Sequence, residues 1–449
     1  MTSSTALTAA LAADTDHVTC FDRDGAVRRW SDLVSAVSCV HEQLANSAGR
    51  RWVLNLDSAF EFAAALLGCW AARKTPVLVA PTLLAGVPAV DFDGVIEPAG
   101  SLTVARERVV WQRLPQATQR IAEIAAAAEL VLYTSGSTGV PKEVRRQAHN
   151  VEAELAVLES LWGAPLGEAR FFTTVSHRHV YGMLFSVLWP LLHRRPFANF
   201  VLEFPEQLID GRGNAQALVT SPALLKRIGH LPSGSASWRS VFSSGGLLPP
   251  GAAGDTERVL GTCPIEVLGS TETSGVAWRS RESARSPCFT AMPRVETRCG
   301  ADDFLEARSP FSGEPGWLTM GDRVRFAGDG CFELLGRGDH LAKIEDKRVS
   351  LAEIERYLLE TPWVTDAACV ALENGRRQYV GAVLQLSARG AAELAGVGRR
   401  MFNERLKAVL RPRIDGVAIP RSFRYVDAIP VDTQGKRQPA MIERLFGKR

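Results

Sequence analysis

Short apolar runs that end in Gly, Ser and Thr alternate along this chain with stretches of helical character. Residues 60–72, rich in Ala and Leu, predict a buried helix, and VLVA at 77–80 predicts the strand after it. The alternation recurs. LVLYTS (130–135) precedes a polar helix from about Asn150, and ALVTS (217–221) precedes PALLKRIGHL. SVFSSGG (240–246) runs into a loop, and IEVLGSTE closes the series at 265–272. Strands that finish in small polar loops predict an α/β fold whose active-site loops lie at strand C-termini.

Composition narrows this reading. A chain of 449 residues predicts two or three domains, and 46% hydrophobic with 22% charged residues excludes a disordered or fibrous protein. The net charge of +3 disfavours a nucleic-acid partner. The charge is uneven. Residues 337–449 hold 21 Lys and Arg against 14 Asp and Glu, whereas the first 336 hold 31 against 35. This shift beside GRGDH predicts a large domain over 1–336 and a small one over 337–449. The eight cysteines form no C-x-x-C pair, so buried free thiols are expected rather than a zinc or redox site. No Lys or Arg precedes Arg23, so export is not expected. The apolar run 77–90 is broken by two prolines, so no membrane span is expected either. These features predict a cytoplasmic protein, a monomer or weak dimer.

The densest chemistry is YTSGSTGVPK at 133–142. An apolar strand runs into residues drawn only from Ser, Thr and Gly: Thr134, Ser135, Gly136, Ser137, Thr138 and Gly139, with Lys142 just beyond. Glycines let backbone N–H groups approach an anion, hydroxyls add donors, and the lysine adds charge, which together suit a polyphosphate. No Walker G-x-x-x-x-G-K-[ST] pattern is present here.

The string resembles the phosphate loop of the adenylate-forming superfamily of acyl-CoA synthetases, peptide-synthetase adenylation domains and luciferases. Further motifs follow in that superfamily's order. SSGGLLPP at 243–250 resembles the glycine turn by the adenine, with Gly245 and Gly246. LGSTET at 268–273 resembles Y-G-x-T-E, TMGD at 319–322 resembles T-G-D, LGRGDH at 335–340 resembles the G-R-x-D hinge, and PVDTQGK at 430–436 resembles the C-terminal lysine motif. The resemblance implies a large N-terminal domain of β-sheets flanked by helices and a small mobile α+β lid. It implies ATP and Mg²⁺ as cofactors, a carboxylic acid substrate and a thiol acceptor. By the same resemblance Glu272 holds Mg²⁺, Thr271 meets the α-phosphate, and Leu268 faces the adenine. Asp322 and Arg337 hold the ribose, Asp339 is the hinge, and Lys436 serves adenylation. SHRHVYG at 176–182 resembles the acyl-pocket motif, with His179 and Tyr181 lining it and Gly182 leaving room for the acyl group; Gly269 is a further pocket residue by the same resemblance.

Three departures matter. Leu268 replaces an aromatic residue. Glu143 follows Lys142 where Gly is common, placing negative charge near the phosphates. Glu345 and Asp346 occupy the loop of KIEDKR (343–348), where the family carries a Gly by the thiol tunnel. KIEDKRVSL and SHRHVYGMLFSVLWPL resemble a compact bacterial subgroup from aryl polyene or fatty-acid-like biosynthetic clusters. That resemblance implies an aromatic, hydroxybenzoate-like acid or a short to medium acyl chain. It also implies the phosphopantetheine of an acyl carrier protein as acceptor, with CoA as the alternative. Repulsion of CoA by the acidic loop, and a basic face at Arg411, Arg413, Arg421 and Arg424, favour the carrier protein. Two other classes compete. A non-catalytic nucleotide-binding regulator has no need of Lys436, and a nucleic-acid ligase would need a K-x-D-G nucleophile that is absent.

Overall fold

The structure is a computed structural model that describes residues 5–13, 16–79, 91–101, 105–111, 123–135, 141–209, 215–234, 237–280, 288–328, 330–338, 341–344, 347–374, 377–431, 437 and 439–447. Two large sheets dominate it. In the nine-stranded sheet six central strands run parallel: Val18–Phe21, Phe197–Val201, Arg170–Thr173, Gln216–Thr220, Trp238–Ser243 and Pro264–Ser270. Antiparallel strands close both edges. In the six-stranded sheet five strands are parallel, ending at Glu129–Ser135, against which Pro141–Gln147 folds back antiparallel. Continuous apolar runs such as Ala217-Leu218-Val219 are fully buried, as parallel strands covered on both faces require.

The alanine-rich segment is a helix, Ala59–Ala71, buried at every position except Glu61. Ser58 caps its start by accepting from the Glu61 N–H at 3.2 Å, and Trp70 Nε1 donates to the Glu129 carbonyl at 2.8 Å. Helix Ala148–Leu166 shares its core, where Phe62, Leu66 and Trp70 join Leu155, Leu158 and Phe171. Burying Phe62 or Trp70 contributes roughly 2–3 kcal/mol each. Between the phosphate loop and this second helix the chain first returns as a strand, Pro141–Gln147, which the sequence pattern did not separate from the helix.

A four-stranded antiparallel sheet follows (Glu296–Cys299, Phe304–Arg308, Leu318–Phe326 and Phe332–Arg337). Beyond it, hairpin Leu341–Ile344/Lys347–Ser350 and a three-stranded sheet, Val364–Asn374, Arg377–Leu386 and Ser422–Tyr425, pack with helices Leu351–Leu359 and Ala388–Leu410. These residues share their own core, built on Ile354, Leu358, Val380, Leu384, Phe402 and Leu406. The α/β architecture with a small C-terminal domain is the expected one.

Cys288 and Cys331 form a disulfide with Cα atoms 5.6 Å apart, contrary to the expectation that all eight thiols are free. The reason is local: Phe289 and Phe332 pair as an isolated bridge, which sets their neighbours side by side. Among the described residues no helix is long and apolar enough to cross a membrane.

Candidate active site

Residues flanking the Ser/Thr/Gly-rich segment form two antiparallel strands, Glu129–Ser135 and Pro141–Gln147. Thr134 pairs with Lys142 and Tyr133 with Glu143, while Gly136, Ser137, Thr138 and Gly139 lie outside the described residues. Thr134 and Ser135 are the last residues of the incoming strand. Side chains alternate along a strand, so Lys142 and Glu143 leave on opposite faces. Lys142 Nζ reaches Glu272 Oε1 at 3.5 Å. Glu143 turns away and accepts from Arg51 Nη2 at 2.7 Å, from the Tyr133 hydroxyl at 2.8 Å and from Arg145 Nε at 2.8 Å. Burial alone would raise its pKa; those bonds outweigh it and hold the carboxyl below the usual range. The expectation that Glu143 sets negative charge by the phosphates is therefore corrected: strand parity points it elsewhere and Arg51 neutralises it.

Glu272 sits where three parallel strands end together. The first is Gln216–Thr220. The second, Trp238–Ser243, runs into Ser244, whose hydroxyl donates to the Val267 carbonyl at 2.8 Å. Gly245 follows with φ +89°, a conformation that needs glycine, and no atom lies within 4 Å of where its Cβ would be. A Cβ on Gly246 would meet only Pro222, at 3.9 Å, so this turn presents bare backbone. The third strand, Pro264–Ser270, carries Leu268, half-buried against the main core, and then a closed turn. Within it Ser270 N–H donates to Thr273 Oγ1, and Thr273 N–H to Ser270 Oγ, both at 3.1 Å. A Cβ on Gly269 would lie 2.2 Å from the Ser274 carbonyl oxygen. The glycine there serves the hairpin.

Asp322 and Arg337 face each other across neighbouring strands, and the Arg337 guanidinium packs against Gly321, where a Cβ would lie 2.9 Å from Nη2. Asp339, Glu345, Asp346 and Lys436 lie outside the described residues. Arg437, next to Lys436, is anchored: its guanidinium grips both Asp366 oxygens and donates to the Ala367 carbonyl.

The SHRHVYG segment is tighter than expected. His177 Nε2 lies 2.9 Å from the Leu56 carbonyl, and its ring packs 4.6 Å from Phe62. Burial pulls its pKa down to about 4, so it is neutral. Arg178 is buried and donates to Asp57 at 2.8 Å. These two side chains bolt the segment to residues 56–57. His179 is exposed. Tyr181 packs tilted against Phe185, ring centroids 4.8 Å apart, and burial pushes its phenol well above its ordinary range. A Cβ on Gly182 would fall 2.1 Å from the Ser176 carbonyl oxygen. Glycine is required at 182 by the close approach of the Ser176 backbone.

Sequence reasoning missed Arg146 and Glu154, which lie fully buried beneath the Thr271–Glu272 turn. The signal was present, because Arg146 shares strand parity with Lys142 and Val144. It also missed Lys226, whose Nζ meets Asp366 at 3.2 Å and links the two domains. As a magnesium site, Glu272 supplies one hard oxygen, and among the described residues no group of three His, Cys, Asp or Glu could hold a metal.

Parallel strands ending in small polar residues, a Lys–Glu pair at their mouth and a small C-terminal domain beside them are the features a nucleotide-dependent ligase requires. Known proteins agree. A profile of the AMP-binding enzyme family matches residues 85–321. A 4-coumarate–CoA ligase of Rhodobacter capsulatus is 26% identical over 337 residues, 72% of this chain and 78% of that protein. Pyochelin synthetase PchE of Pseudomonas aeruginosa is 28% identical over 310 residues, 58% of this chain and 21% of that one. Among solved structures, ATP-bound MatB from Rhodopseudomonas palustris superposes with TM-score 0.82 at 16% identity over 99% of both chains. A benzoate CoA ligase from Burkholderia xenovorans LB400 does so with TM-score 0.81 at 18% identity, over 98% and 99%. The chain belongs to the AMP-binding enzyme family, and the enzyme is an acid–thiol ligase of the adenylate-forming superfamily.

Proposed function

We propose that this enzyme activates an aromatic, hydroxybenzoate-like acid, or a short to medium acyl acid, as its acyl-AMP and passes it to a phosphopantetheine thiol. The observation that carries the reading is the meeting of Lys142 and Glu272, 3.5 Å apart at the ends of the parallel strands. Both are substantially exposed (62% and 36%), so their pairing is weak and yields readily to phosphate and metal. Lys142 and the hydroxyl loop neutralise charge on the β- and γ-phosphates. Thr271 donates to the α-phosphate, and Asp322 accepts from the ribose hydroxyls with Arg337 alongside. Glu272 would hold Mg²⁺, which would supply charge withdrawal from the phosphates. Lys436 bridges the acid carboxylate and the α-phosphate. The carboxylate attacks phosphorus and pyrophosphate leaves; the domain over 337–449 then turns about Asp339, and the thiol attacks acyl-AMP to give thioester and AMP. The reaction needs no side-chain nucleophile and takes place in the cytoplasm.

The ring of Tyr181 and the exposed His179 support an aryl acid, as do relatives named for 4-coumarate and benzoate. The basic face invoked for a carrier protein is locally spent. Arg411 pairs with Glu404 at 2.8 Å and Arg413 with Glu360 at 2.6 Å, while Arg424 donates to the Leu445 carbonyl. Steering of an acidic carrier is weaker than the sequence implied, and CoA stands level with it as the bearer of the arm. The test is acid-dependent pyrophosphate release over aryl and alkyl acids, then thioester formation with CoA and with carrier proteins. Release with no acid of the panel, or preference for palmitate over every aryl acid, refutes the reading.

A further inference from the structure

Directly beneath the Thr271–Glu272 turn lie two charged side chains that nothing above assigns a role. Arg146, on strand Pro141–Gln147, is 2% exposed; its guanidinium donates to the Thr271 carbonyl and to the Phe311 carbonyl. Glu154, one and a half turns into helix Ala148–Leu166, is also 2% exposed. It accepts from the Ser274 hydroxyl and, at 2.9 Å, from the Gly275 N–H. One side chain thus grips the turn before Glu272 and the other grips it after. Ser274 is held at φ +61°, in the left-handed region that a residue with a side chain seldom takes, and its hydroxyl is the atom Glu154 binds. A Cβ on Gly275 would lie 2.8 Å from Glu154 Oε1, so glycine there is what lets the carboxylate close on the backbone.

A buried arginine and a buried glutamate are costly to keep unless they are fully bonded, and a hydrophobic pair could fill the same volume. Here Glu154 spends its hydrogen bonds on Ser274 and Gly275, and Arg146 divides its own between the Thr271 and Phe311 carbonyls. Arg146 also stands two residues along the same strand face from Val144 and four from Lys142, so the face that presents Lys142 to Glu272 also fixes the peptide beside it.

We propose that Arg146 and Glu154 are positioning residues for adenylation. Together they clamp the Thr271–Glu272 turn at both ends, in the shape that offers Thr271 to the α-phosphate and Glu272 to the metal. This rests on the reading of Thr271 and Glu272 given above. The clamp holds the turn before substrate arrives, so its loss acts on the chemical step of the first half-reaction and on magnesium use, and leaves acid recognition alone.

The experiment compares Glu154→Gln, Arg146→Lys and Ser274→Ala with Glu272→Gln in full-length protein. Acid-dependent ATP–pyrophosphate exchange is measured across a magnesium titration, and thioester formation from supplied acyl-AMP is measured separately. Glu154→Gln keeps one acceptor oxygen and should lower exchange kcat about 10-fold to 100-fold, raise the magnesium needed for half-maximal rate, and change KM for the acid less than about twofold. Thioester formation from acyl-AMP should stay within about threefold of the parent enzyme. Ser274→Ala removes the same bond from the other side, so it should reproduce the effect, and the double variant should be no worse than either single one. Should Glu154→Gln fail to fold, Ser274→Ala decides the matter alone. Equal losses in both half-reactions with unchanged magnesium dependence would mean a merely structural role and overturn the proposal. Should Glu272→Gln cripple exchange while the clamp variants do not, the clamp is refuted and the site stands. Should Glu272→Gln leave exchange intact, the reading of the site itself falls.

Discussion

Replacing Lys226 tests whether a single ion pair sets the balance of domain orientations. Lys226 lies just after helix Pro222–Leu225 in the large domain, and its Nζ is 3.2 Å from Asp366 Oδ1 in the small one. At an effective dielectric of about 20, that distance corresponds to roughly 5 kcal/mol of gross attraction. Three terms reduce it. The lysine and aspartate are 25% and 11% exposed, so both lose hydration. Asp366 is shared with Arg437, and the second cation opposes the first. Burial first, and Arg437 next, push the Lys226 pKa down, so part of the attraction is consumed in keeping the lysine charged. A net contribution of about 1–2 kcal/mol remains, within the range for partly buried pairs. Lys226→Met should therefore shift the ratio of this orientation to all others by roughly 5-fold to 30-fold. Lys226→Arg should restore most of it. The measurement is energy transfer between one dye on each domain, read alongside the two half-reactions. The half-reaction served by this orientation should slow while the other quickens. An unchanged distance distribution in Lys226→Met, or parallel changes in both half-reactions, would refute the reasoning.

Glu355 lies behind the same cluster, accepting from the Cys369 N–H at 2.6 Å, and burial lifts its pKa to about 7. A carboxyl raised on folding contributes full stability below its unfolded pKa and loses it as pH rises through the folded one, so the wild-type protein should lose up to about 3 kcal/mol between pH 4.5 and 7 from this group. Glu355→Gln should flatten that limb of Tm against pH, and an identical slope in the variant would contradict the assignment. Gly182→Ala should cost a few kcal/mol of stability by driving Cβ onto the Ser176 carbonyl, with the order of preferred acids unchanged; a stable variant that merely rejects larger acids would instead place the glycine at the acyl pocket. Lys436→Ala should abolish acyl-AMP formation and spare thioester formation from supplied acyl-AMP, and equal loss in both would argue against its role. Thr138→Ala should slow adenylation ~10-fold to 100-fold through lost phosphate bonds, which nucleotide kinetics would register and acid preference would not.

What the sequence made legible follows from how locally each feature is determined. Helix Ala59–Ala71 announced itself because nearly every side chain in it is apolar, a composition that only a helix packed on all sides can hold. Strand ends such as Ser243 and Ser270 were legible because small polar residues follow apolar runs, and the fold collects those ends at one edge of the sheet. Lys142 and Glu272 stand 130 residues apart, and the fold brings them within 3.5 Å. Other features were less legible. A missing side chain leaves no mark in the sequence of the backbone it packs on, as Gly182 does on Ser176 and Gly269 on Ser274. Glu143 was read as a charge near phosphate because proximity in sequence ignores parity, and in a strand parity decides which face a charge reaches. Arg146 went unread for the converse reason. In a polar run of Glu, Arg, Arg and Gln it looks like one more solvated side chain, yet it falls on the face of Val144 and is buried. A turn between strands has few contacts of its own, so a site carried on one must borrow rigidity from the layer below. In this chain that layer contributes a buried arginine and a buried glutamate, whose partners lie 125 and 120 residues further along the chain. Such pairings are set by sheet order, and one strand read in isolation does not disclose them.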